Sequence, residues 1–275
     1  MAPHKGDLNC GEQRLIAAAR NGTPVDFTGG KETLNVRAEG AGWSAERTIR
    51  GEVIAGLCTS TAEEPVHRKG VQVLGARIVG FLDLEAAALI RPLTLVHCWL
   101  EHDINLRDAQ TKTIRLSGSV VPGIQANRAS IGGSIFLDNG FESGDTISMV
   151  DASVTGSIIA RGAKFKSSTG AAFEGSRLAV KGAILFSNGY ASDGEIRLVD
   201  ASIRGFFFCA DARMRGALVA NRLRVKGSVF FQNGVRLSGG ASFIGAQIDG
   251  SFECEGSSCP GCDLRIDLAL NRTST

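Results

Sequence analysis

The chain has 275 residues, of which 43% are hydrophobic and 6% aromatic, and its formal net charge is +2. This hydrophobic content is enough for a buried core, whereas the near-neutral charge is not typical of a nucleic-acid binder or of an acidic DNA mimic. Glycine is unusually frequent, with 35 copies against six prolines, which suits short strands joined by tight corners.

The first seven residues, Met1 to Asp7, are polar and lack the apolar segment of a secretory signal. No run in the sequence approaches the roughly 18 consecutive apolar residues of a transmembrane helix. The seven cysteines are an odd number spread over most of the chain, which argues against a disulfide framework. We therefore expect a cytoplasmic protein with reduced thiols and no transmembrane segment.

Two helices are predicted near the start of the chain. Residues 12–20 are rich in helix formers and are followed by Asn21-Gly22, a typical C-terminal stop. A second helix is predicted to begin near Ser44, because the apolar residues that follow recur at helical spacing. These residues are Ile49, Val53, Ile54 and Leu57.

Three regions are predicted along the chain. Residues 1–65 form an N-terminal helical capping region, which includes a short strand at 34–36 and ends in a linker over 59–66. Residues 66–256 carry the repeats described next. Residues 257–275 form a C-terminal tail or cap.

Beyond the linker, glycines recur about every 23 residues. The first interval is 53 residues, about two periods, and the later intervals are 23, 26, 23, 22 and 23 residues. A fixed period in this range predicts a solenoid. The glycines are Gly80, Gly133, Gly156, Gly182, Gly205, Gly227 and Gly250.

Three segments within the repeats match position by position. Residues 133–140, 182–189 and 227–234 each begin with one of these glycines and end in Asn-Gly. Asn-Gly predicts a tight corner, because both residue types tolerate positive φ. After each corner comes a strand and then a small residue followed two places later by an aliphatic one, such as Ala152 and Val154. The segments start 49 and 45 residues apart, so the longer repeat comprises two coils.

The pairing of a small residue with an aliphatic one recurs widely, for example at Ala76 and Ile78 or at Cys98 and Leu100. In this pattern, residues 70–256 resemble the pentapeptide-repeat proteins, in which a small residue and a central Leu point into a narrow, four-sided, right-handed β-helix. The Asp or Asn usual after the small residue is mostly missing, and the coils are longer than in that family.

The chain is also similar to a group of uncharacterised bacterial β-solenoid proteins. The likeness lies in a helical opening at residues 47–54, the segment 70–78 and the Phe-x-Asn-Gly units. That resemblance implies no activity. The resemblances imply an all-β fold, a right-handed parallel β-helix. The repeat period gives about eight coils over residues 66–256, and the predicted helices give a small N-terminal α-helical cap. At about 4.8 Å per coil, the rod would be about 35–40 Å long.

Strand alternation after each glycine predicts one row of large apolar residues on the outer surface. Five such residues on consecutive coils span about 19 Å, with Asp83 and Glu253 expected at the two ends. A contiguous apolar surface usually marks an interface. Three alternatives stay open: the N-terminal helices cover the row, a protein partner or second copy covers it, or the inward and outward positions are exchanged. We call this row the apolar stripe: Phe136, Ile159, Leu185, Phe208 and Phe230.

Three C-terminal cysteines are the densest group of potential metal ligands. The spacing of Cys254, Cys259 and Cys262 is similar to that of zinc sites and of the first ligands in plant-type ferredoxins, but no fourth Cys or nearby His completes the set. Cys254 is expected on the same inward rung as Cys209. Cys259-Pro-Gly-Cys262 lacks the strand and helix context of a thioredoxin motif. These cysteines are weak metal candidates, and no cofactor is predicted.

His97 and Cys98 could in principle supply an activated nucleophile. Cys98, however, fills the small inward position before Leu100, which would bury it away from a substrate. No catalytic residue is predicted, because no orienting group or oxyanion donor can be named. The sequence also lacks a Ser-His-Asp arrangement, a phosphate-binding glycine loop and a dinucleotide-binding fingerprint.

A basic stretch extends over residues 195–236, where eight Arg or Lys and three acidic residues give a local charge of +5. Clustering on one face would be required for binding to nucleic acid or anionic lipid. A solvated face is the simpler expectation.

The sequence thus favours a non-enzymatic repeat protein that acts as a protein-interaction or scaffold module, with an unknown protein or a second copy as its partner. One alternative is a nucleic-acid-directed module, because some pentapeptide-repeat proteins mimic DNA toward topoisomerases. Those proteins are strongly acidic, so the net charge of +2 makes nucleic acid an improbable partner. The other alternative is a metal or redox protein that uses the C-terminal cysteines.

Overall fold

The protein is a parallel β-solenoid, as the fold prediction states. A computed structural model describes residues 8–30, 37–60, 66–167 and 170–258, together with the backbone of Ile266–Leu268. Strands of successive coils pair in parallel. Two of the solenoid's sheets contain eight strands each, which corresponds to about eight coils.

Each coil has four sides, which we number as faces 1 to 4 in chain order. One coil shows the pattern: Ile135–Phe136 lies on face 1, Glu142–Ser143 on face 2, Ile147–Ser148 on face 3 and Ser153–Val154 on face 4. The next coil returns to face 1 at Ile158–Ile159, directly beside Ile135–Phe136. We call each strand position along a face a rung.

The strands of faces 1 and 2 form one continuous sheet, because two long strands bend around the corner between these faces. Face 1 comprises Val25–Asp26, Val71–Leu74, Leu93–Val96, Ile114–Arg115, Ile135–Phe136, Ile158–Ile159, Ile184–Ser192, Phe207–Met214, Val229–Gln232 and Phe252–Cys254. Face 2 comprises Thr48–Arg50, Arg77–Val79, Trp99–Leu100, Val120–Val121, Glu142–Ser143, Lys164–Phe165, the second halves of the two long strands, and Arg236–Leu237.

Faces 3 and 4 are separate sheets. Face 3 comprises Leu82–Asp83, Ile104–Asn105, Ile124–Gln125, Ile147–Ser148, Ala171–Glu174, Glu195–Arg197, Leu218–Val219 and Ala241–Ser242. Face 4 comprises Gln110–Thr111, Ser130–Ile131, Ser153–Val154, Ala179–Val180, Ser202–Ile203, Arg224–Val225, Ala246–Ile248 and Ile266–Leu268.

Two α-helices and two 3₁₀ segments lie at the N-terminal end. Helix α1 (Cys10–Asn21) ends at Gly22, whose φ of 69° forms a left-handed C-cap, so the predicted stop at Asn21-Gly22 is confirmed. Helix α2 is Gly51–Thr59, and the 3₁₀ segments are Arg37–Gly42 and Ala45–Arg47.

The prediction that the second helix begins near Ser44 is wrong. Ser44 precedes only a 3₁₀ turn, and Thr48–Arg50 is a strand that pairs with Arg77–Val79 as the first rung of face 2. Ile49 is fully buried opposite Ile78. The helical spacing of Ile49 with later residues is therefore overridden by strand pairing at the end of the solenoid.

Some predicted segments lie outside the described residues. These are the short strand at 34–36, most of the linker and most of the C-terminal tail. Within the tail, Ile266–Leu268 is a strand that pairs with Ala246–Ile248 on face 4.

A buried ion pair joins the helical region to the first rung of face 2. Glu12 is fully buried, and its carboxylate accepts hydrogen bonds from the Arg50 guanidinium at 2.8 Å. Glu12 and Asn9 also form a capping box at the start of α1. Burial raises the pKa of Glu12, but hydrogen bonds from Arg50 and Asn9 outweigh it and hold the pKa below its ordinary value.

The repeating glycines form the corner between faces 4 and 1. From Gly156 onward, the N–H of each donates to the carbonyl of the equivalent glycine one coil earlier, for example Gly205 to Gly182 at 3.0 Å and Gly227 to Gly205 at 2.9 Å. A Cβ on Gly205 would lie 2.6 Å from the Gly182 oxygen, which is closer than any real side chain approaches. The 23-residue period therefore marks a corner where two backbones touch. The equivalent glycines are Gly133, Gly156, Gly182, Gly205, Gly227 and Gly250.

Gly80 does not belong to this row, contrary to the sequence analysis. It follows the face 2 strand Arg77–Val79 and precedes the face 3 strand Leu82–Asp83, so it lies at a different corner. Its φ of 66° is positive, and a Cβ there would meet no atom within 4 Å. Gly80 thus permits a left-handed turn, whereas the six others permit close stacking.

The predicted Asn-Gly corners lie between faces 1 and 2. Asn139, Asn188 and Asn233 each have φ of 55°, and each is followed by a glycine with positive φ.

At the corner between faces 3 and 4, Asp and Arg on neighbouring coils form exposed ion pairs. The pairs are Asp108 with Arg128, Asp151 with Arg177, and Asp200 with Arg222.

We expect Gly205→Ala to lower the free energy of unfolding by about 2 kcal/mol, because the added methyl group must push two stacked coils apart. Gly56→Ala is the matched control. Gly56 lies inside α2 with no atom near its missing Cβ, so alanine there should raise stability by up to about 1 kcal/mol. Denaturant unfolding of both variants measures the difference, and equal stability of Gly205→Ala and wild type would contradict the stacking argument.

We expect Glu12→Gln to lower the free energy of unfolding by about 3 kcal/mol at pH 7, because it leaves the Arg50 charge without its buried partner. Glu52→Gln removes an exposed carboxylate from the same guanidinium and should cost less than about 1 kcal/mol. Since the pKa of Glu12 is lowered by folding, its contribution is complete above the unfolded pKa and is lost as the pH falls through the folded pKa. The difference in free energy of unfolding between Glu12→Gln and wild type should therefore become smaller in acid. A difference that stays constant with pH would contradict the assignment.

Candidate protein-interaction surface

Strand pairing aligns the five stripe residues in one row on face 1. Phe136 pairs with Ile159, and Ile159 pairs with Leu185. Leu185 then pairs with Phe208, and Phe208 with Phe230. Each of the five side chains is half-buried. The row is thus continuous over five consecutive rungs.

The residues between the stripe positions point into the core. Ile135, Ile158, Ile184, Phe207 and Val229 are at most 5% exposed. The alternation therefore follows the inward and outward positions expected from the sequence. The structure thus contradicts one of the three alternatives, in which the inward and outward positions are exchanged.

The two helices pack at the end of the solenoid, on the first coil. Helix α1 contacts Thr48–Arg50 and Val71–Leu74, and α2 contacts Leu82–Asp83. The stripe begins at Phe136, three rungs beyond Val71–Leu74 on face 1. These contacts place α1 and α2 beside the first coil, whose strand Val71–Leu74 lies about 14 Å from the start of the stripe.

Phe206 extends the stripe into an aromatic cluster that the sequence analysis did not include. It is 42% exposed, and its ring centroid lies 6.5 Å from that of Phe208 and 6.4 Å from that of Phe230. The signal was present in the sequence. Phe206 holds an outward position where the neighbouring coils have Ala183 and Ser228, so a large apolar residue there has no role in the core.

The N-terminal end of the stripe is flanked by Arg115, and the expectation of Asp83 is wrong. Asp83 lies on face 3, where it pairs with Asn105, because Gly80 belongs to a different corner. Arg115 pairs with Phe136, and its guanidinium carbon lies 3.7 Å from the centre of the Phe136 ring. This cation–π contact covers part of the ring. The glycine period did not reveal Arg115, because its coil has Lys112-Thr113 where later coils have one of the repeating glycines.

The C-terminal end of the stripe is flanked by Glu253, as expected. Glu253 pairs with Phe230 and accepts a hydrogen bond of 3.4 Å from the Gln232 side chain. Its exposed carboxylate gives this end of the row a negative charge. The stripe therefore lies between a cation at one end and an anion at the other.

The structure places one of the three candidate metal ligands. Cys254 is in register with the buried Phe231 and Cys209, as predicted, but it is exposed. It belongs to the last face 1 strand that the structure describes, so no further rung packs beside it there. Cys259 and Cys262 lie outside the described residues. Among the described residues, no group of three or more His, Cys, Asp or Glu is arranged to hold a metal ion.

Cys98 is a core residue. Its thiol is fully buried beside the carbonyl oxygen of Val96 at 3.4 Å, and its amide donates to the Ser119 hydroxyl at 2.9 Å. Burial raises the pKa of the Cys98 thiol to about 12. A thiol with this pKa is protonated at neutral pH and is a poor nucleophile. This agrees with the inward position predicted for it.

The basic stretch is distributed around the solenoid. Arg197, Arg215 and Arg222 form salt bridges with acidic residues. Arg213 pairs with Arg236 on face 2, whereas Arg224 lies on face 4. These positions divide the charge among several faces, so they do not form the single basic footprint that nucleic-acid binding requires.

A shallow groove of about 510 Å³ lies along face 4. Its lining includes Ile90, Gln110, Ser130 and Thr155, and Lys112 is its one ionisable side chain. General acid–base catalysis needs groups that can take up and release a proton near neutral pH. This lining provides no acid–base pair.

No protein family, curated protein or solved structure matches this chain. The resemblances to pentapeptide-repeat proteins and to other bacterial β-solenoid proteins therefore stay predictions that rest on the residues quoted for them. Across the described residues, the search for a helix long and apolar enough to span a bilayer finds none.

Alkylation of the native protein should distinguish surface cysteines from core cysteines. We expect iodoacetamide to modify Cys10 and Cys254, which are exposed, within minutes at pH 8. Cys58, Cys98 and Cys209 are buried with raised pKa values and should react only after unfolding in urea. Peptide mass spectrometry gives the extent of modification at each site. Equal rates for Cys98 in the native and unfolded protein would show that its thiol is accessible.

Proposed function

We propose that the protein is a non-enzymatic interaction module that binds another protein surface through the apolar stripe on face 1. The observation that carries this proposal is the continuous row of five half-buried apolar side chains, extended by the exposed Phe206. Most outward positions of a solenoid are polar or small, because they face water. A row of large apolar residues there favours contact with another surface.

The aromatic cluster supports a specific contact. The ring centroids of Phe206, Phe208 and Phe230 lie at most 6.5 Å apart, and the ring of Phe206 is exposed. Clustered aromatic residues provide large contact areas at low conformational cost and are frequent in binding hot spots. The rigid strands below them fix their positions, so little order must be gained on binding.

The chemistry of the described thiols supports a binding role more than a catalytic one. The potential nucleophile Cys98 is buried and has a raised pKa. The five described cysteines are free thiols, which agrees with the cytoplasmic location that we propose.

Replacement of Phe208 and Phe230 by Asp should abolish binding through the stripe, because it places two charges where the partner contributes apolar surface. Association of the double variant is measured by sedimentation velocity for self-association and by pull-down for other partners. We expect at least a tenfold loss of affinity, with unchanged circular dichroism.

The matched control is Ser130→Asp with Ser153→Asp. These serines are exposed neighbours on face 4, so the control introduces two carboxylates on adjacent rungs of another face. It should associate as wild type does. If the folded Phe208→Asp, Phe230→Asp variant keeps the same mass in solution and the same partners as wild type, the proposed function is wrong.

A further inference from the structure

We propose that the stripe binds a second copy of this chain with the two solenoid axes antiparallel, so that Arg115 and Lys112 of one copy meet Glu253 and Asp249 of the other. This inference rests on the proposed function, since it uses the same face. It adds the identity of the partner, the orientation of the two copies and the residues that select that orientation.

The first observation is the opposite charge of the two ends of the stripe. Arg115 lies three rungs before Leu185 on face 1, and Glu253 lies three rungs after it. The distance from the first to the last of these rungs is about 29 Å. Leu185 is therefore the midpoint of a row that begins with a cation and ends with an anion.

The corner beside face 1 also has a cation at its N-terminal end and an anion at its C-terminal end, and Lys181, Arg204 and Lys226 are exposed at the same corner on rungs between them. Lys112 immediately precedes Thr113 and lies at the level of the Arg115 rung, and Asp249 lies at the level of the Glu253 rung. Both side chains are exposed. Each end of the stripe thus carries two like charges, positive at the N-terminal end and negative at the C-terminal end.

Charge selects between the two symmetric ways in which face 1 can meet a second face 1. With parallel axes, every rung meets its own copy, so Arg115 meets Arg115 and Glu253 meets Glu253. With antiparallel axes and the two-fold axis at Leu185, Arg115 meets the Glu253 of the second copy. Opposite charges steer association and like charges oppose it, so the antiparallel arrangement is favoured.

The same symmetry matches the shapes of the apolar residues. Phe136 faces Phe230 of the second copy, and Ile159 faces Phe208. Phe206, which is the most exposed residue of the cluster, lies one rung after Leu185 and so faces Ser157, one rung before it. A small residue opposite the protruding ring leaves space for it. Two such contacts form, one on each side of the symmetry axis.

Three cations between the two ends of this corner oppose association. Arg204 and Lys226 lie one and two rungs after Leu185 and face Thr155 and Gly132 of the second copy, which carry no charge. Lys181 is exposed at the level of the Leu185 rung and lies near its own copy across the symmetry axis. Its position at the corner keeps the ammonium group hydrated, where repulsion between exposed charges is small and screened by salt. The four attractive contacts at the two ends of the interface outnumber the one contact in which two like charges meet, that of Lys181 with its own copy.

The size of the surface sets the expected strength. A patch about 29 Å long and about 15 Å wide buries about 900 Å² over two copies, which is below the about 1,200 Å² at which stable specific interfaces begin and is typical of weak, transient complexes. We therefore expect a dimer that dissociates in the micromolar range, and sedimentation velocity over a concentration series is the suitable measurement.

The test uses charge reversal in the full chain. Arg115→Glu and Glu253→Arg alone should each weaken dimerisation about tenfold, because each converts two attractive contacts into repulsive ones. The double variant Arg115→Glu, Glu253→Arg should recover wild-type dimerisation, and an equimolar mixture of the two single variants should form mixed dimers. Arg236→Glu on face 2 makes the same change of charge away from the stripe and should have no effect. Thermal unfolding verifies that every variant is folded.

The outcomes separate this inference from the proposed function. If Phe208→Asp with Phe230→Asp abolishes the dimer but the charge reversals do not change it, the antiparallel orientation is wrong and binding through the stripe stands. If the wild-type chain stays monomeric up to about 100 μM while the stripe still captures another protein, the second copy is not the partner. If single reversals weaken the dimer and the double variant recovers it, both the partner and the orientation are supported.

Discussion

Close contact between backbones at the corner of faces 4 and 1 is the constraint on which the coils from Gly133 to Gly250 depend. From Gly156 onward, each glycine of this corner donates its N–H to the equivalent glycine one coil earlier, at a separation that leaves no room for a Cβ. Coils stacked in this way keep a constant register on the adjacent face 1. The insertion of three extra residues between Gly156 and Gly182 is accommodated elsewhere in the coil, because Ile158 and Ile184 still pair directly.

The constant register makes face 1 a regular surface. Since equivalent residues lie on successive rungs about 4.8 Å apart, a chemical preference at one outward position becomes a row. The row from Phe136 to Phe230 is apolar, and Arg115 and Glu253 give its two ends opposite charge. A surface that is apolar in the middle and oppositely charged at its ends is complementary to itself when rotated by half a turn. This property links the stacking of the coils to the partner and orientation that we propose.

The sequence predicted the parts of the structure that repeat and missed those that depend on single exceptions. The glycine corner, the Asn-Gly corners and the inward position of Cys98 were all predicted, because residues of the same type recur at equivalent positions on successive coils. Ile49 was assigned to a helix, since one strand at the end of the solenoid has no neighbouring repeat to reveal it. Arg115 was missed because its coil lacks the marker glycine, and Asp83 was assigned to the wrong face because Gly80 marks another corner. Phe206 was visible as an outward residue, but its cluster with Phe208 and Phe230 required the distances between rings.

The shape of the assembly in solution tests the account most directly. In an antiparallel dimer centred on Leu185, each N-terminal cap extends beyond the C-terminal end of the other copy by about three rungs, or about 14 Å. Small-angle X-ray scattering over a concentration series should therefore show a particle about one third longer than the monomer, with a cross-section nearly doubled in one direction. A particle of almost twice the length and unchanged cross-section would show that the copies join end to end, and would contradict association through face 1.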